Sequence, residues 1–400
     1  MLAYLGTFGI SIGLTFWAES LQKKEKVKES ALCLFLALLL VVLLAGLRDY
    51  TVGTDTLGYL KWIETAAKYD TFLEYLNSWY TGREVLSCGI AYVAGKLNSA
   101  HFFFLAFAAA IYGGAMTALV MVRETVSLPY AWAAYLFFMY GISLNQIRQS
   151  AAVTLVLCAF AFLQRKKYVA FFALLVMAYL FHLTALLALV ILILYLILQK
   201  WDTKEVKTVI IAAILLFAVF AVPILRLVLE TGIFGDRFAG YLNSLSGSPF
   251  SIKPVIVRLP FFIMPLFFYR EFAQEEKAKS YTFHNQDADF LLILLFIEMV
   301  LAILRTVSAE IYRMSFYFET FRCLAIGRMM HTLEKNPDRK KWTRLVGASL
   351  FFMFVMIWLY QIVLQQNDWT FPYTSESLGI SPDPLAVMID RWERLRWRQS

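Results

Sequence analysis

The chain is a succession of apolar stretches, each about as long as a bilayer is thick, separated by short polar connections. They centre on residues 3–19, 31–47, 101–122, 129–144, 149–164, 168–182, 183–199, 207–229, 254–269, 289–305, 312–331 and 345–365, about twelve spans. Hydrocarbon offers no water to backbone amides, so each span must satisfy its own peptide groups as a helix. The expectation is an all-α polytopic integral membrane protein. Composition agrees, with 60% hydrophobic and 16% charged residues and a mean hydropathy of +0.63. A single helical membrane domain is predicted over residues 1–366, with external loops over 48–100 and 230–253 and an external tail over 367–400.

The net charge of +8 is spread over many short loops and forms no stripe, which is the pattern of positive-inside retention and not of a nucleic-acid surface. Cys33, Cys88, Cys158 and Cys323 stand singly in apolar or small-residue surroundings, so neither a disulfide framework nor a zinc site is indicated. No basic segment precedes the first apolar stretch and no small-residue cleavage site follows it, while "LQKKEKVKES" comes directly after. The first helix is therefore expected to stay attached with its N-terminus outside. The piece "EVLSCGIAYVAGKL", residues 84–97, is only about fourteen residues long, the length of a re-entrant or interfacial helix. If it does not span, the basic clusters near 165, 204, 275 and 338 all fall in the cytoplasm and both termini lie outside.

This arrangement sorts the charges. External segments carry Arg48, Asp49, Asp55, Arg83, Glu84, Arg148, His182, Asp236, Arg237, Arg258, Arg305, Glu310 and Arg313. Charges at the membrane surface are costly unless paired or facing a wet cavity, so their convergence on one side marks a site, although a single arginine more often snorkels or pairs with a neighbour. Arginine holds planar oxygen pairs bidentately and cannot lose its charge, which points to an anionic ligand. A lipid diphosphate is the membrane-borne ligand that fits. Asp55, Glu84 and His182 are candidates for proton transfer. Asp55 equally suits the N-cap of a helix starting at Thr56, Glu84 a surface ion pair with Arg83, and His182 a bond to a backbone carbonyl. Tyr50, Tyr59, Trp62, Trp79, Tyr80, Tyr317 and Tyr373 suit sugar faces, and equally the interfacial aromatic belt. Arg313 and Tyr317, four apart, should share a helical face. Glu319 with Arg322, and Glu298 and Arg226, read as structural charges deeper in the bundle.

Several segments carry a family resemblance. "LRDYTVGTDTLGYLKW", "SLNQIRQSAAVTLVLCAFAFLQRKK", "AYLFHLTALLAL", "EIYRMSFYFE" and "TFPY" resemble, in order, the signature segments of the EpsG family, a branch of Wzy-type polysaccharide polymerases. The resemblance implies a GT-C-like, metal-independent glycosyltransferase without cofactor, located in the bacterial cytoplasmic membrane. It would join oligosaccharide repeat units carried on undecaprenyl diphosphate into an O-antigen, capsule or exopolysaccharide, on the external, periplasmic side. A flippase and a chain-length regulator of the same pathway would be its partners. On this reading Arg48, Arg148 and Arg313, with Arg258 and Arg305 in second rank, bind the diphosphate; Asp55, Glu84 and His182 are the candidate catalytic groups; Tyr59, Gln149, Tyr317 and Tyr373 contact sugar. A lipid-linked-oligosaccharide flippase or transporter would need arginines in a cavity reachable from both faces, typically with internal repeats, and no repeat is evident. A glycan ligase using the same lipid donor would differ in its acceptor groove.

Overall fold

The structure, a computed structural model, describes residues 1–78, 84–230, 252–304 and 309–381. Its helices are α1 (Leu2–Lys23), α2 (Val27–Gly46), α3 (Thr56–Ala67), α4 (Phe72–Ser78), α5 (Val85–Lys96), α6 (Ala100–Val122), α7 (Leu128–Asn145), α8 (Ile147–Gln164), α9 (Tyr168–Phe181), α10 (Leu187–Lys200) and α11 (Lys204–Glu230). There follow α12 (Lys253–Phe267), a small hairpin of β1 (Glu276–Lys277) and β2 (Thr282–Phe283), α13 (Asn285–Ile303), α14 (Ala309–Met314), α15 (Phe316–Glu319), α16 (Arg322–Lys335) and α17 (Lys340–Trp358). Among the described residues, five helical segments are long and apolar enough to cross a membrane: Val27–Gly46, Ala100–Val122, Ile147–Gln164, Leu183–Lys200 and Pro337–Leu364. The architecture is that of an all-α membrane protein.

The chain divides into two compact units, the first of residues 1–123, 127–185 and 341–400, the second of 124–126 and 186–340. In the first unit α7 and α8 are apolar around their whole circumference, and nearly every residue of both is buried. A helix of that kind has to be central. Helices α1, α2, α6, α9 and α17 surround the pair, turning large apolar side chains such as Trp17, Phe35, Phe172 and Phe352 outward. Outward aromatic and aliphatic side chains on this scale suit lipid.

The two ends of this unit differ. One gathers Lys23, Lys24, Lys26 and Lys28 with Arg123, Arg165, Lys166 and Lys167, where Glu19 accepts the Leu128 N–H at 2.8 Å and Arg165 donates to the Met121 carbonyl. The other gathers residues 47–55, the α7–α8 corner, residues 182–184 and residues 366–375. Helices α3 and α5 pack on each other here, so closely that a Cβ on Gly95 would lie 2.8 Å from both the Ala67 nitrogen and the Ile63 carbonyl oxygen. The twelve-residue α5 is about 18 Å long.

The start of the expected tail belongs to the core of this end. Asp49 N–H donates to the Thr374 carbonyl at 3.0 Å, Gly53 N–H to Trp369 at 3.0 Å and Thr54 N–H to Asp368 at 3.1 Å. Tyr373 is buried, its hydroxyl donating to the Leu44 carbonyl at 2.7 Å, and burial pushes that hydroxyl up to about 12.

In the second unit, the stretch expected as one helix over 312–331 is interrupted at Ser315 and at Thr320–Phe321. Tight i→i+3 bonds, Ser315 N to Tyr312 O at 2.9 Å and Phe321 N to Phe318 O at 3.1 Å, make the breaks. The shift in phase leaves Arg313 exposed and Tyr317 buried, so the two do not share a face. It also delivers Glu319 and Arg322 into a closed ring of buried charges. Arg258 reaches Glu298 at 2.5 Å and Glu319 at 3.3 Å, and Arg322 reaches the same two carboxylates at 2.5 and 3.3 Å. Two cations and two anions cancel, which is what burial at this depth demands.

Candidate functional site

The site is built at the corner where α7 stops and α8 starts. Arg148 stands in the first turn of α8, where the helix dipole already presents positive charge, so a second cation there calls for an anion. Glu84 supplies one. It is the N-cap residue of α5, but its carboxylate does not cap that helix; it accepts from Arg148 Nη1 instead. Ser87, one turn on, donates to the Phe181 carbonyl at 3.0 Å and so fixes α5 against the end of α9.

His182 follows α9 in extended conformation. Its Nδ1 accepts the Thr184 N–H at 3.3 Å and lies 2.7 Å from the Thr184 hydroxyl, which in turn accepts from Gln149 Nε2 at 3.5 Å. With Nδ1 the acceptor, the hydrogen-bond pattern assigns the imidazole proton to Nε2. That nitrogen faces Glu84 Oε1 at 3.8 Å, too long for a hydrogen bond in this state and close enough to become one with a small rotation. Glu84 thus stands between a permanent cation and a titratable base, with its side chain 9% exposed against 25% for Arg148 and 23% for His182. The carboxylate is the enclosed member, and the guanidinium and the imidazole are the more exposed ones.

The Arg148 guanidinium lies 4.5 Å from the Trp62 ring and against the Tyr59 hydroxyl, which donates to the Asn145 carbonyl at 3.3 Å. Its Nε is buried and has no hydrogen-bond partner among the described residues. A buried unpartnered N–H on a fixed guanidinium is a costly feature that a second anionic oxygen would relieve.

The structure distributes the sequence-based candidates unevenly. It brings Glu84, Arg148 and His182 together, with Tyr59 and Gln149 beside them as positioning groups. Asp55 lies behind Tyr59; it makes no side-chain cap on α3, and its backbone N–H donates to Asn145 Oδ1 at 2.7 Å. Arg48 has a different position from the one its motif implied. It is buried, it stacks 4.4 Å over Phe104, and its three nitrogens donate to the carbonyls of Ala45, Leu144 and Val52. A helix end leaves carbonyls unsatisfied, and Arg48 collects them. Tyr373 is likewise turned inward. In the second unit Arg258 has Nε, Nη1 and Nη2 engaged by Glu298, the Pro254 carbonyl and Glu319, Tyr317 is fully buried, and Arg313 is exposed. Arg305, with Arg83, Trp79, Tyr80, Asp236 and Arg237, lies outside the described residues, and the side chain of Glu310 is not described.

Two residues that sequence reasoning passed over organise the site. Asn145 receives Thr54 Oγ1 at 3.0 Å and the Asp55 N–H, and donates to Asp368 at 3.1 Å, tying the Gly53 turn to the α7 terminus. Thr184 orients His182. Their signal was only that of polar residues next to a helix end. Among the described residues no three His, Cys, Asp or Glu side chains stand together as a metal set.

No curated protein and no solved structure matches the chain significantly. The EpsG family profile, however, matches residues 9–375, nearly the whole length and all of the segments that build the site. Members of that family are Wzy-type polymerases, an activity of the polysaccharide-polymerase type. The chain belongs to the EpsG family.

Proposed function

We propose that this protein polymerises oligosaccharide repeat units carried on undecaprenyl diphosphate, at the external face of a bacterial cytoplasmic membrane. The observation that carries the reading is Arg148: a guanidinium in the first turn of a helix, one nitrogen on Glu84 and its buried Nε without a hydrogen-bond partner among the described residues. This is a cradle for a diphosphate. The basic end of the first unit is then cytoplasmic and the Arg148 end external, with both termini outside, about twelve spans of GT-C-like character, and α5 as a non-spanning helix.

In the reaction, a hydroxyl at the non-reducing end of the acceptor attacks the anomeric carbon of the donor. The new C–O bond forms as the bond from that carbon to the diphosphate oxygen breaks, and the electron pair leaves with undecaprenyl diphosphate. Negative charge grows on the departing oxygen, so Arg148 stabilises the transition state more than the ground state. The acceptor proton passes to the Glu84–His182 pair. When the diphosphate engages Arg148, Glu84 is released from its cation and gains basicity. Arg313 is retained as a second anion-binding residue on the strength of its motif.

Deleting the gene tests the assignment: single lipid-linked repeat units should accumulate on the external face. Accumulation on the cytoplasmic face would identify a flippase, and accumulation of finished lipid-linked polymer a ligase.

A further inference from the structure

Residues 366–375 carry several aromatic side chains, and the fold treats them oppositely. Phe371 and Tyr373 are buried, whereas Trp369 is 62% exposed. Its backbone is the least expected part of the chain: Gln366, Asp368 and Trp369 all have left-handed φ values, of 50°, 59° and 52°. L-residues avoid this region, and where it persists the surroundings enforce it. Here they do. The Trp369 carbonyl accepts the Gly53 N–H at 3.0 Å, its own N–H donates to the Gln366 carbonyl at 3.1 Å, and Asp368 is held by the Thr54 N–H and by Asn145, each at 3.1 Å. Gly53 itself sits at φ +99°, with the Leu144 carbonyl oxygen 3.3 Å from where a Cβ would be. From Asp368 the contacts run through Asn145 and Tyr59 to Arg148. A large aromatic is thus held outward on a strained turn that is hydrogen-bonded to the Gly53 turn and to Asn145, at the same end of the unit as Arg148. Rigid aromatic faces bind the C–H faces of sugar rings with little loss of side-chain entropy.

Resting on the polymerase reading above, we infer that Trp369 is the stacking platform for a sugar of the acceptor. Arg148 takes the donor's diphosphate, and Trp369, removed from it by Asn145 and the Gly53 turn, takes the ring that delivers the hydroxyl. The competing role is an interfacial anchor, for which a side chain's apolar character suffices and its flat face does not matter.

The experiment uses the full-length protein in nanodiscs, a lipid-linked donor blocked at its non-reducing end and an unblocked acceptor. Trp369→Ala should raise the KM for acceptor roughly ten-fold and that for donor far less, Trp369→Phe should restore it, and Trp369→Leu should behave as Ala. An unchanged acceptor KM in Trp369→Ala, or rescue by Leu equal to Phe, overturns the inference. Absence of any undecaprenyl diphosphate release by the wild type would overturn the polymerase reading instead. In that case the platform is read by titrating the protein with oligosaccharide released by mild acid from the lipid-linked repeat unit. Binding lost in Trp369→Ala and kept in Trp369→Phe supports the platform, and equal binding by wild type and Trp369→Ala refutes it.

Discussion

Glu84 holds the balance of the site because it answers to a permanent cation and to a titratable imidazole. Arg148 keeps its charge at any pH and grips one carboxylate oxygen, while His182, aligned by Thr184, offers an N–H near the other. A lysine in place of Arg148 is a point charge and cannot serve Glu84 and a diphosphate together. Arg148→Lys should therefore leave the protein in the membrane and lower the turnover number about 100-fold, measured as released lipid diphosphate. Glu84→Gln should lose on the order of 100-fold through the missing base, with donor binding maintained or tightened because Arg148 loses its competitor. Arg48 should respond in a different currency. Its buried guanidinium bonds the carbonyls of Ala45, Leu144 and Val52, so Arg48→Met should lower the unfolding temperature in detergent, with a cost of roughly 3 kcal/mol. If Arg48→Met instead kept its stability and lost only turnover, Arg48 would not be the structural tie between these three carbonyls.

At the scale of elements, the site rests on connections between segments far apart in sequence. The Gly53 turn, the end of α7 and the turn around Asp368 meet on one side chain, Asn145. Removing it strands the Asp55 N–H and the Asp368 carboxylate, so Asn145→Ala should cost about 1–3 kcal/mol and loosen residues 51–55 and 366–370 together in hydrogen exchange. A change confined to one of the two segments would contradict this linkage. The second unit has its own knot, in which the Glu276 carboxylate of β1 receives Arg328 at 2.6 Å, His331 at 3.1 Å and Lys335. Burial raises this carboxyl, and the hydrogen bonds it accepts from His331, Lys335 and Arg328 outweigh burial and hold it well below the usual carboxylate range. Its folded value lies below its unfolded one, so its stabilisation is complete above the ordinary value near 4.3 and is lost as pH falls from there toward the folded value. Protection factors for hydrogen exchange over 272–283, corrected for the intrinsic exchange rate at each pH, should fall on acidification through that range in the wild type, and Glu276→Gln should lessen the dependence.

For the whole molecule, the helices were legible because long apolar stretches leave the backbone one solution in a bilayer; the expected stretches from 3–19 to 289–305, and 345–365, each fall on a helix within a few residues, and five helical segments among the described residues are long and apolar enough to cross a membrane. The exception, 312–331, shows the limit: its polar residues, Glu319 and Arg322, are drawn to Arg258 and Glu298, partners that no local pattern reveals. The same limit divides the site. Arg148, Glu84 and His182 were readable as charges out of place in apolar surroundings. Arg48 looked the same, because nothing in "LRDY" tells that Leu144 and Val52 turn their carbonyls toward it. Tyr373 stood among the aromatics expected near the interface and Trp369 did not, yet the backbone turns Tyr373 inward and Trp369 out. The proposed joining of lipid-linked repeat units at the Arg148 end can be measured with purified components. Its most direct measurement is reconstitution of the purified full-length protein in proteoliposomes with lipid-linked single repeat units and no other protein. A ladder of glycan lengths spaced by one repeat unit is expected, with one undecaprenyl diphosphate released per linkage and both signals lowered about 100-fold in Arg148→Lys. Repeat units that cross the bilayer unchanged, or a ladder undiminished in Arg148→Lys, would contradict it.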